Sequence, residues 1–215
     1  MHTHGVNIAA IRKDYQLAAL DEQSVGDDPL LFFGKWLAEA EAAQIGEVNA
    51  MTIATVDAQS KPHARIVLLK GLDESGFVFF TNYQSAKGRQ LAVHPFATLV
   101  FFWKELERQV RIDGRIEKLS DHENDAYFQS RPEGSRIGAW ASPQSQLIAN
   151  RNLLEENYAA FSQKFIQQQI FCCYGASEVT PSTGLMFFNR WIQYLNYFPN
   201  NTGWRGPCEA RRPGP

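Results

Sequence analysis

Between residues 50 and 119 the chain carries five strand-like runs in close succession: AMTIATV (50–56), ARIVLLK (64–70), GFVFFT (76–81), ATLVFFW (97–103) and ERQVRIDGRIEKL (107–119). Each is rich in β-branched or aromatic residues, and the gaps carry Asp, Gly, Ser or Asn. Short gaps of this kind join antiparallel neighbours, because a parallel crossover needs a dozen or more residues and a full helix. Strands in this number, with only short helices between them, predict a mostly β chain with flanking helices. The sheet should close, or nearly close, into an antiparallel barrel.

The helices are marked by their caps. Asp28 can N-cap a helix that has Pro29 at its first position, and LLFFGKWLAEAEAA continues it at helical spacing. SAKGRQLAVHP reads as a short helix with Ser85 as N-cap and Pro95 as stop. Ser120 and Glu123 form a capping-box pattern before DHENDAYFQS, and Arg131-Pro132 ends that helix in a turn and a polar loop. From Ser145 onward, Leu147, Leu154, Tyr158, Phe161 and Phe165 predict a long amphipathic helix. A chain of 215 residues accommodates one domain with arms. We divide it into an N-terminal arm (1–27), a folded domain (28–198) and a Gly/Pro-rich, poorly ordered tail (199–215). After Ile166 the strand signals are weak and no clean period remains.

A net charge of −2 argues against a nucleic-acid binder, which needs a basic surface to displace counterions. No apolar run reaches the roughly 18 residues of a membrane span. The opening MHTHGVNIAAIRKDY has no apolar core of a secretory signal. Cys172, Cys173 and Cys208 form neither a disulfide framework nor a zinc spacing, so reduced thiols in the cytoplasm and no metal are expected.

Four places could carry chemistry. Arg65 and Lys70 bracket an alternating strand on which Arg65, Val67 and Leu69 share one face and Ile66, Leu68 and Lys70 the other. A bound anion could pair these cations; equally, both could snorkel to solvent. Thr81-Asn-Tyr-Gln-Ser85-Ala-Lys87 takes the chain from a strand into a helix N-terminus, which can bind anions or serve only as a cap. Gln109, Gln144 and Ser145 offer hydrogen bonds suited to the edge of a flat heterocycle, or to water. Tyr127 and Arg131 stand one helical turn apart, with Ser135 past the Pro break. Two hydroxyls and a fixed cation suit a phosphate dianion, or a solvated helix end.

Taken together, RIVLLK, FFTN with SxK, ERQVRIDG and YFQSRPEGSRIGAWAS followed by PQS resemble the pyridoxine/pyridoxamine 5'-phosphate oxidase family over roughly residues 12–165. The resemblance implies an FMN-binding split antiparallel β-barrel that works as a homodimer with the flavin at the subunit interface. It also implies oxidation of pyridoxamine or pyridoxine 5'-phosphate to pyridoxal 5'-phosphate, with dioxygen as acceptor. By that likeness Arg65 and Lys87 would hold the FMN phosphate. Arg65, Ile66, Val67, Leu68, Leu69 and Lys70, with Phe80 and Thr81, would line the flavin. Gln109, Gln144 and Ser145 would hydrogen-bond it, partly from the second subunit. Lys70, Tyr127, Arg131 and Ser135 would hold the substrate phosphate, and Arg12 and Tyr15 would belong to a segment closing over the substrate.

Two departures stand against this likeness. Ala86 occupies a position where the family usually has Arg. The family's C-terminal Trp-Gly-Gly, Glu-Phe-Trp-Gln-Gly and Arg-Leu-His motifs are missing, and there is no His after His122. A shifted reading frame near residue 166 and true divergence both account for the break. On this reading the C-terminal segment supplies no barrel strand, one side of the pocket opens to water, and turnover is low. The other readings are a flavin- or pyridoxal-phosphate-binding split barrel with little or no turnover, and an oxidoreductase using another flavin-like cofactor.

Overall fold

The computed structural model describes residues 25–166, five single positions before them, and the backbone of 175–189 and 193–197. Arg12, Tyr15, the three cysteines and the tail from residue 198 lie outside the described residues. Helix α1 (Pro29–Ala42) starts where Asp28 accepts from the backbone N–H groups of Leu30 and Leu31 at 2.8 and 3.2 Å. Strands β1 (Ala50–Val56), β2 (Pro62–Leu72) and β3 (Phe77–Thr81) follow, then helix α2 (Ala86–Val93). Strands β4 (Phe96–Trp103) and β5 (Arg108–Lys118) lead into α3 (Asp121–Ser130), α4 (Glu133–Ala141) and α5 (Arg151–Phe165). Strands β6 (Gly175–Asn189) and β7 (Gln193–Tyr197) complete the described chain.

The sheet runs β3-β2-β1-β4-β5-β6-β7, all antiparallel, and β6 also pairs with β3. That extra pairing, from Phe77 opposite Val179 to Thr81 opposite Gly175, closes six strands into a barrel. The expectation that the segment after residue 166 supplies no barrel strand is therefore corrected. Pairing through the backbone asks only for an extended chain, and β3 and β5 both present edges to be paired.

The core fills the barrel and the space under α1. Phe33 is fully buried and meets the rings of Phe77 and Phe101 at 4.9 and 5.0 Å between centroids. The Trp103 indole, 2 % exposed, donates to the Val48 carbonyl at 3.0 Å, so its one polar atom is satisfied. Leu20 and Val25, from the N-terminal stretch, pack into the same core. A smaller cluster of Phe128, Ile137 and Ala139 joins α3 and α4 to Phe161 and Phe165 of α5.

Two helical readings change. The segment after Pro132 is helix α4, not a polar loop, with Glu133 in its first turn facing the favourable end of the helix dipole. The long helix begins at Arg151, where Asn150 accepts from the Leu153 N–H at 3.0 Å, and not at Ser145. Leu147 is accordingly fully exposed.

Candidate functional site

The site forms where β2, β3, the start of α2 and the end of α3 meet. β2 alternates as its sequence predicts, with Leu69 buried while Ile66, Leu68 and Lys70 are exposed. Its register against β3 slips between Leu69 and Gly71, so Lys70 is the extra residue of a bulge. A bulge re-aims a side chain, and the lysine here turns toward a cavity of about 290 Å³. That cavity brings together ten residues that the sequence singles out: Ile66, Val67, Leu68 and Lys70 of β2; Phe80 and Thr81 of β3; Lys87; Tyr127 and Arg131; and Gln144. Phe128 lines it as well. Tyr127 lies flat on Phe80, with centroids 3.4 Å apart and planes 11° from parallel, tying α3 to the barrel.

The inner end is built on the α2 N-terminus. Ser85 is fully buried and accepts from the Gly88 N–H at 3.2 Å as N-cap. The Lys87 ammonium, on a residue only 8 % exposed, reaches Ser85 Oγ at 3.4 Å and Gln144 Oε1 at 3.3 Å. Behind it, Arg65 donates through Nη1 to Thr55 Oγ1 at 2.6 Å and through Nη2 to Gln90 Oε1 at 3.1 Å. Among the described residues, no carboxylate forms an ion pair with either cation. Burial, and then the nearby Arg65 charge, hold the Lys87 pKa below its ordinary value; burial also lowers that of Arg65. Two neighbouring cations, drawn out of water at a helix N-terminus and paired only with neutral oxygens, suit a multiply charged anion.

The outer end carries Lys70, which is exposed, and Arg131, the C-cap of α3. The Ser120–Glu123 capping box predicted from sequence is formed, with both reciprocal bonds present. It fixes the helix that presents Tyr127 and Arg131.

Other predicted residues stand elsewhere. Leu69 is in the main core, 5 % exposed, and does not line the cavity. Gln109 is on β5 opposite Phe102, and Ser135 is exposed in the first turn of α4. Ser145 is exposed in the left-handed region with φ 64°. None of these three lines the cavity. Sequence reading missed Thr55 and Gln90, the partners of Arg65. No local signal marks either residue, and the Arg65–Gln90 contact spans 25 residues. Among the described residues no helix is long and apolar enough to cross a membrane, and no group of three or more His, Cys, Asp or Glu could hold a metal.

A family model described as pyridoxamine 5'-phosphate oxidase matches residues 37–165. A pyridoxine/pyridoxamine 5'-phosphate oxidase of Burkholderia multivorans is 58% identical over 158 residues, which is 74% of each chain. A Synechocystis protein of the same name is 53% identical over 166 residues, covering 77% of this chain and 78% of its own. Among solved structures, PhzG from Burkholderia lata, in complex with tetrahydrophenazine-1-carboxylic acid, superposes with a TM-score of 0.80 at 23% identity, covering 88% of this chain and 96% of its own. A pyridoxamine 5'-phosphate oxidase-related, FMN binding protein from Nostoc punctiforme gives a TM-score of 0.63 at 16% identity, covering 84% and 97%. These structures share the split-barrel fold.

Proposed function

Because the chain belongs to the pyridoxamine 5'-phosphate oxidase family, we propose that it binds FMN and oxidises pyridoxamine or pyridoxine 5'-phosphate to pyridoxal 5'-phosphate in vitamin B6 metabolism, with dioxygen as acceptor. The observation that carries this reading is the pair of cations, half-buried Arg65 and buried Lys87, with neutral partners at and beside the α2 N-terminus. It fits a phosphate that stays in place, as a cofactor's does. FMN held by Arg65 and Lys87 would supply the redox chemistry, a two-electron oxidation of the substrate with dioxygen as final acceptor and hydrogen peroxide as its reduced product.

The chain's own residues bind and orient. Ile66, Val67 and Leu68 offer an apolar edge to the flavin, while Thr81 and Gln144 offer polar atoms at its rim. Lys70, Tyr127 and Arg131 would grip the substrate phosphate, a group unchanged in the reaction whose binding energy orients the reacting carbon. Ser135 would join them from α4, and Arg12 and Tyr15 would close over the substrate. Gln109 and Ser145 stand away from this chain's cavity, which suits delivery from the second subunit of a homodimer. Exposed Ile66, Leu68 and Phe102 give that subunit apolar surface to cover.

The deciding experiment is peroxide release from pyridoxamine 5'-phosphate by purified, FMN-loaded protein. Stoichiometric peroxide and pyridoxal 5'-phosphate support the reading. A yellow protein releasing neither would be a binding protein without turnover. Light scattering tests the assembly, and a monomer holding FMN stoichiometrically would refute the shared site.

A further inference from the structure

We propose that Thr55 and Gln90 are positioning residues, a neutral bracket that fixes the Arg65 guanidinium without neutralising it. The inference rests on the reading above, in which an FMN phosphate sits at Arg65 and Lys87. The three side chains form a closed triangle. The Thr55 hydroxyl donates to Gln90 Oε1 at 2.7 Å and accepts from Arg65 Nη1 at 2.6 Å. Gln90 Oε1 accepts a second bond, from Arg65 Nη2 at 3.1 Å. Thr55 is 3 % exposed and Gln90 8 %, so these bonds are shielded from competing water.

The chemistry of the bracket differs from the usual way of holding a half-buried Arg. A carboxylate at position 90 would grip the guanidinium harder but cancel its charge. An incoming dianion would then meet a neutral pair. The amide and the hydroxyl satisfy part of the fork and leave the charge intact. Nε and one hydrogen of Nη2 have no acceptor among the described residues. Those donors stay available to the anion. The bracket also sets the distance between the two cations. Gln90 stands three residues from Lys87 on α2, so the Arg65–Gln90 bond ties β2 to the helix that carries the second charge.

The test compares FMN with riboflavin, which lacks only the phosphate, by flavin fluorescence titration of the full chain. Gln90→Glu keeps the shape of the side chain and adds the carboxylate. It should lower the FMN-to-riboflavin affinity ratio roughly 10- to 100-fold, with riboflavin affinity changed by less than about threefold. Thr55→Val should lower the ratio by a smaller factor, and it carries the test alone should Gln90→Glu fail to fold. A folded variant with an unchanged ratio, or with both affinities falling in parallel, overturns the bracket, since a merely structural role weakens both flavins alike. Wild-type protein that does not favour FMN over riboflavin overturns the phosphate site itself, and the bracket with it.

Discussion

The two ends of the cavity carry the same charges in opposite settings. At the inner end Lys87 lines the cavity with half-buried Arg65 behind it, the two held by Thr55, Gln90, Ser85 and Gln144. At the outer end Lys70 is exposed on a bulge and Arg131 sits at a helix terminus, over the Phe128 ring at 5.8 Å. Charges away from water act strongly on an anion but are costly when left alone; charges near water act weakly and tolerate vacancy. On the proposed function, the first setting suits a cofactor that stays and the second a substrate that must leave.

The largest effect expected to test this contrast is that of Arg65→Ala. It removes the charge-assisted bonds that Nε and Nη2 would give the phosphate, at a combined cost of about 3–5 kcal/mol, while Thr55 and Gln90 keep their bond to each other. FMN should then be lost on gel filtration, and retention of the yellow colour would erase the distinction between the two ends. Arg131→Ala should act only on the outer end. Loss of one charge-assisted hydrogen bond, roughly 1.5–3 kcal/mol, should raise the Michaelis constant for pyridoxamine 5'-phosphate while FMN stays bound. An unchanged constant removes Arg131 from the substrate site.

The pH dependence separates the ends in another way. Burial and then Arg65 lower the Lys87 pKa from an ordinary 10.5. Between the lowered value and 10.5 the unfolded chain binds more protons, so stability of the flavin-free protein rises with pH through that window. FMN affinity should move the opposite way, falling as Lys87 loses its charge. Titration of FMN binding against pH checks the sign, and a fall that persists undiminished in Lys87→Met would remove Lys87 from the site. The smallest effect is that of Ser120→Ala, which breaks the capping box of α3 at a cost of about 1 kcal/mol. Amide exchange should quicken in α3 alone, with FMN affinity unchanged.

The elements that were legible in sequence are those defined by local pattern. β1 occupies 50–56 as its β-branched content predicts, and Asp28, Ser85 and Ser120 all cap the helices assigned to them. Local signals failed where one residue serves two roles. Pro132 ends one helix, yet it also stands at the N-cap position of α4. Leu147 fitted the period of α5, but Asn150, whose side chain caps that helix, marks its start later. Arg65 and Lys70 are legible because charge inside a strand pattern is unusual, Lys87 because it stands at a helix N-terminus, and Arg131 because it lies one turn from Tyr127. Their neutral partners are not, since Thr55 and Gln90 look ordinary until folding brings them to Arg65. β6 was missed because long-range edges, rather than its own sequence, define its pairing.

That double pairing of β6 has a consequence for synthesis. Strand β5 ends at Lys118 and β6 at Asn189, so roughly 70 more residues must be made before an almost finished sheet has the whole of its closing strand. At 5–20 residues per second, the ribosome takes about 4–14 s to deliver them. Throughout that interval the nascent chain has β3 and β5 available as two unpaired edges with complementary backbone groups. Two such chains emerging on one message could pair edge to edge before either has its own β6. The speed of translation across residues 119–174 therefore sets how long these edges stay open to such pairing.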